Sequence, residues 1–174
     1  VLRTSRFFPE IDDDANRRGA LPDPALKVLE FLHRRVAIED IVTAAHQALG
    51  RAPEIGFDRY ILSAPTPFEQ GDAVRVATDL PALLQERAPA LAQAFAENGW
   101  TLPKGLDRVY DSSKAQQALA WAPAFNAQSA LDRYRETGDW RGPLALAVGK
   151  KPYHDRTFED GPFPVEADPY SSVS

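Results

Sequence analysis

The 174-residue chain has no cysteine, which excludes disulfide frameworks and thiolate-ligated metal centres. No apolar run reaches the roughly 20 residues that a membrane-spanning helix needs, and no secretory leader pattern opens the sequence. Concentrated positive charge is also missing. Net charge is −5, and the densest basic groups are the pairs Arg17-Arg18 and Arg34-Arg35. Nucleic-acid binding needs a basic face or stripe instead. Neither nucleic acid nor membrane is expected as a partner, and a cytoplasmic enzyme or binding protein is the expectation. Methionine is absent too, and Val1-Leu2-Arg3-Thr4 reads as the middle of a strand. A piece of a longer protein is therefore expected.

Several kinds of chemistry lack their residues. The ten glycines are scattered, and none forms the Gly-rich strand–turn–helix fingerprint that seats a dinucleotide pyrophosphate at a helix N-terminus. No serine stands in a Gly-x-Ser-x-Gly elbow. His33, His46 and His154 have no second histidine or carboxylate at metal-ligand spacing. His46 is read as a surface residue and His33 as lying near a substrate edge. The acidic run Asp12-Asp13-Asp14 is read as a solvated loop, because no ligand pattern follows at calcium-loop spacing. Of the five tyrosines, only Tyr110 has a lysine four residues on, Lys114.

What is present is an ordinary globular composition, 44% apolar and 26% charged, in a chain long enough to bury a core. Residues 1–8 are β-prone and end at Pro9, with an exposed loop to follow. Ile38, Ile41, Val42, Ala45, Ala48 and Leu49 recur at helical intervals, predicting a helix over 38–50 stopped by Gly50. Residues 57–63 read as a strand. A helix over 80–98 is expected to break at Pro89, which removes a backbone donor. Arg108 to Tyr110 is a short extended piece, followed by helices over about 112–119 and 128–136. Trp100, Trp121 and Trp140 are read as packing at helix ends. The domain reading is a body over 1–140 and a loop-like tail over 141–174. The order is mixed α/β, with a sheet too thin to stand alone.

Four segments carry a resemblance. VLRTSRFFPE is similar to the strand and substrate loop that follow the catalytic helix of extended short-chain dehydrogenases/reductases, the NAD-dependent epimerase/dehydratase family. RRVAIEDIVTAAHQAL resembles that family's later motif, a basic cluster, an apolar-x-acid-Asp and an alanine-rich helix. DRYILSA fits the strand after it. YDSSKAQQALAWAP resembles the closing Asp-x-Ser-Lys-Ala helix and apolar-Trp-x-Pro turn. The fold so implied is α/β: the C-terminal, substrate-side part of a Rossmann-type enzyme whose cofactor-binding half is missing.

The resemblance implies an NAD(P)-dependent epimerase, dehydratase or related oxidoreductase acting on a carbinol carbon of a sugar or nucleotide sugar. In that family a Tyr-x-x-x-Lys pair does the acid/base work. Tyr110–Lys114 has the spacing, but Lys114 falls in the closing motif, where the family has a structural surface lysine. No catalytic residue is therefore assigned, and the chain is expected to be inactive alone. By position, Thr4 and Ser5 approach the nicotinamide of NAD or NADP, while Arg6, Phe7, Phe8, His33 and Arg35 face substrate. Two departures weaken the nucleotide-sugar assignment. Arg6 stands where the epimerases commonly have Asn, so it is expected either to meet an acidic substrate or to pair with a neighbouring acid such as Glu10. His33 occupies the position of a phosphate-clamping Arg, and only Lys104 and Arg108 are available for a later one. An apolar patch is expected along residues 1–8, where the missing sheet would pair, and a homodimer would form through the parent enzyme. The alternative is a stand-alone, non-catalytic binding or regulatory module that associates with another subunit.

Overall fold

A computed structural model describes residues 1–7 and 20–148. Its sheet is two parallel strands, β1 (Leu2–Thr4) and β2 (Tyr60–Leu62), in the register Leu2↔Tyr60, Arg3↔Ile61 and Thr4↔Leu62. Parallel strands need a long crossover. Here it contains α1 (Asp23–Phe31) and α2 (Ile38–Ile55). After β2 come a 3-10 turn (Gln70–Asp72), α3 (Ala73–Thr78), α4 (Leu80–Arg87), α5 (Pro89–Glu97), α6 (Ser113–Leu119), α7 (Ala127–Thr137) and α8 (Pro143–Val148). The architecture is mixed α/β with helix predominant.

Local chemistry explains most boundaries. Pro89 opens α5 at a position where its missing N–H costs nothing, so the expected break lies where the sequence places it. Asn126 and Ser129 form a reciprocal capping box at the start of α7, and Gly138 ends that helix at φ 77°. Gly50 does not stop α2. The helix runs on to Ile55 and ends at Gly56, whose φ of 68° a residue with a Cβ adopts only at a cost.

Three helices stand where the sequence reading has none. The 143–148 segment, expected as loop, is helical because Glu39 of α2 accepts the Leu144 N–H at 2.9 Å and the Ala145 N–H at 3.3 Å. Its cap thus lies over a hundred residues away in sequence. Helix α1 is enclosed on all sides: Ala25, Leu26, Val28, Leu29 and Phe31 are buried together with Lys27 and Glu30. No solvent-facing stripe marks it as a helix. Helix α3 is only six residues long. The extended piece at 108–110 is not a strand; Tyr110 donates its N–H to the His33 carbonyl at 2.8 Å.

Two cores result. The larger joins α1, α4, α5 and α7 through Leu29, Leu32, Leu84, Phe95, Leu131, Trp100 and Trp140. The smaller lies under the sheet and gathers Val36, Ala44, Tyr60, Leu62, Ala115, Leu119 and Trp121. Each fully buried leucine contributes about 1.5–3 kcal/mol by leaving water. All three tryptophans are buried, as packing residues should be. The apolar patch expected along 1–8 is reduced to Val1 among the described residues, because Leu2 and Phe7 pack against the smaller core. Phe8, the acidic run at 12–14 and the tail from 149 onward, including His154, lie outside the described residues.

Candidate functional site

The C-terminal ends of β1 and β2 converge on residues 34–36. Arg6 donates its N–H to the Arg34 carbonyl at 3.1 Å, Val36 donates to the Arg6 carbonyl at 3.0 Å, and Ala64 donates to the Arg35 carbonyl at 2.8 Å. In α/β sheets, ligands bind beyond the carboxyl ends of parallel strands. This is the end where the expected site residues lie.

Glu30 is the hub. Its carboxylate is fully buried, and a buried carboxylate persists as an ion only when it is paired. It accepts from Arg35 Nε at 2.8 Å, Arg34 Nη2 at 2.9 Å and Arg6 Nη1 at 3.4 Å. Arg6 thus meets an acid, Glu30; Glu10, the acid named from the sequence, lies outside the described residues. Arg35 is itself fully buried, and its guanidinium carbon lies 5.1 Å from the Trp140 ring centroid, within cation–π reach. Beside it the buried Lys27 places Nζ 3.6 Å from Asp23 Oδ1. Burial, and then the charge of Arg35, lower the Lys27 pKa from its ordinary 10.5.

The other expected residues take distinct places. Thr4 is exposed at the end of β1, whereas Ser5 is buried and holds β2 through its N–H to the Leu62 carbonyl at 2.8 Å. The Ser5 hydroxyl has no hydrogen-bond partner among the described residues. Phe7 is half-buried against the smaller core. His33 is buried, and its Nδ1 lies 2.9 Å from the Leu29 carbonyl. That carbonyl only accepts, so Nδ1 carries the proton and donates. His46 is exposed on α2. Lys114 is exposed, pairs with Asp58 and lies 5.2 Å from the Tyr60 ring centroid.

Two cavities flank this region. One, of about 230 Å³, is lined by Leu21, Leu26, Leu29 and Leu106 together with Glu30, His33, Arg34 and Asp107. The other, of about 560 Å³, lies beyond β2 between Thr66, Phe68, Glu69, Val76, Arg108 and Asp111. Leu106 and Asp107 belong to both. Their loop is pinned to α3 by the Leu106 N–H bond to the Val76 carbonyl at 2.8 Å, and Lys104 accepts from Leu80 at 2.9 Å. Gly105 permits this approach: a Cβ there would collide with the Ala77 carbonyl.

Asp40 has a structural part. It accepts the N–H groups of Ala124 at 2.7 Å and Phe125 at 3.0 Å, while Trp121 Nε1 donates to its main-chain carbonyl at 3.1 Å. Burial raises its pKa from 3.8, with the two backbone donors acting in the opposite direction.

Sequence reasoning passed over Lys27, Glu30, Arg34 and Asp107 as site residues. One signal was available: Glu30 and Arg34 stand at i,i+4 at the end of an otherwise apolar run. Among the described residues no cluster of histidines and carboxylates could hold a metal ion, and no helix is long and apolar enough to cross a membrane. Comparison with family models, curated proteins and solved structures finds no match for this chain.

Proposed function

We propose that the chain is the C-terminal, substrate-side portion of an NAD(P)-dependent epimerase, dehydratase or related oxidoreductase of the extended short-chain dehydrogenase/reductase type. The observation that carries this reading is the convergence of its separated motifs. The two strands that resemble the family's late strands pair in parallel, and residues 34–36 of the intervening motif lie against both of their ends. Asp40 of that motif binds the Trp-x-Pro turn more than eighty residues later. Four segments chosen for their likeness to one family thus act on one another.

In this reading Thr4 and Ser5 approach the nicotinamide of NAD or NADP, Arg6, Phe7, Phe8 and His33 stand on the substrate side, and the parent enzyme works in the cytoplasm, as a homodimer. Arg35, assigned to the substrate side with them, is fully buried and holds Glu30. Arg6 shares the Glu30 carboxylate with Arg34 and Arg35. No acid/base pair is assigned among the described residues, where Lys114 pairs with Asp58, and catalysis is assigned to the other half. The reading is tested by the coding sequence upstream of Val1. A Gly-rich fingerprint and a Tyr-x-x-x-Lys are expected there, and a stop codon immediately upstream would sink it.

A further inference from the structure

We propose that the open face of the two-stranded sheet docks an amphipathic helix that carries carboxylates beside its apolar stripe; that this helix belongs to the upstream half of the parent enzyme rests on the reading above. Successive side chains of a strand point to opposite faces. Leu2, Tyr60 and Leu62 share one face, which α2 and α6 cover through Ala44, Ala115 and Leu119. Arg3 and its register partner Ile61 share the other. Val1 joins them one step back, opposite Arg59: its N-terminus donates to the Asp58 carbonyl at 2.7 Å, and its carbonyl accepts the Tyr60 N–H at 2.9 Å.

This second face meets solvent. Val1 is 62% exposed and Ile61 39%, and Arg3 and Arg59 are exposed as well. Phe57 extends the patch at 73% exposed, with the Arg59 guanidinium carbon 5.8 Å from its ring centroid. Parallel sheets are built with both faces buried, and helices are what cover them. A row of Val1, Ile61 and Phe57 suits the apolar stripe of such a helix.

Charge decides what flanks the stripe. Arg3 and Arg59 stand among these apolar side chains, and neither has a carboxylate partner among the described residues. Asp58, next to Arg59 in the chain, is taken by Lys114. A helix laid on this face takes both guanidinium groups out of water, which is costly unless carboxylates meet them. A basic or wholly apolar helix would leave two buried charges unpaired.

The test compares the 174-residue chain with the same chain joined to its natural upstream sequence, both treated with the arginine reagent phenylglyoxal and read by mass spectrometry. Arg3 and Arg59 should react readily in the shorter chain and at least tenfold more slowly in the joined protein. Arg135, exposed on α7, should react alike in both. In the joined protein, Arg3→Lys and Arg59→Lys each place an amine on the face. A carbodiimide should couple that amine to Asp or Glu of an upstream segment with helical apolar spacing. Equal labelling of the two proteins, or no coupling to such a segment, would overturn the proposal. Protection in the shorter chain that grows with its concentration would put a second copy on the face and overturn it too. A stop codon immediately upstream of Val1 sinks the family reading and this proposal together, whereas an upstream Gly-rich fingerprint with equal labelling sinks this proposal alone.

Discussion

Glu30 holds three guanidinium groups from a position with no solvent contact. Such pairs add little net stability when intact, because desolvation offsets attraction, but removing one partner strands the others. Glu30→Gln keeps the shape and removes the charge, leaving Arg35 buried beside a neutral amide. The unfolding free energy should fall by about 3–5 kcal/mol, read from urea denaturation; a loss within about 1 kcal/mol would mean that the cluster is held by something else. Asp40 offers a test through pH. Burial raises its pKa from 3.8, so between 3.8 and its folded pKa the folded state keeps a proton that the unfolded state has lost. Its contribution to stability therefore falls as pH rises through that window. In Asp40→Asn the fall should disappear. At neutral pH the variant should be about 1–3 kcal/mol less stable, because one amide oxygen cannot serve both the Ala124 and Phe125 donors as two carboxylate oxygens do. An unchanged pH profile would place the titration elsewhere.

At the scale of elements, the 103–107 loop matters most, since it walls both cavities. Gly105→Ala drives a methyl into a backbone oxygen of α3, a clash that side-chain rotation cannot relieve. Overpacking of this kind costs about 1–3 kcal/mol. Calorimetry should show the loss, and NMR shifts should spread from Leu106 into the linings of both cavities; a neutral substitution would show the loop to be pliable. Helices with an amphipathic stripe and local punctuation were legible in the sequence: α2 from its spacing, the α4–α5 break from Pro89, α7 from its Gly138 stop. Helix α1 was not, because Lys27 and Glu30 interrupt its apolar run and become buried only through partners that the fold brings in. Nor was α8, whose cap is Glu39. The candidate site was half legible for the same reason. Arg6 and His33 stood out as departures from the pattern of the resembled family, whereas Glu30, which gathers Arg6, Arg34 and Arg35, has meaning only in three dimensions.

At the scale of the molecule, the described residues hold an extensive helical core beside a sheet of only two short strands. A two-stranded sheet is marginal by itself, and Val1, Arg3 and Thr4 are exposed along β1 while Ile61 is exposed on β2. Both strands are edges of this sheet, and the proposed cofactor half would extend it by further pairing. A titration of NADH, followed by its fluorescence, tests this most directly, with the 174-residue chain compared against the same chain joined to its natural upstream sequence. The joined protein should bind NADH or NADPH saturably in the micromolar range, and the 174-residue chain should show no saturable binding. Micromolar binding by the 174-residue chain alone would contradict the division into a cofactor half and a substrate side.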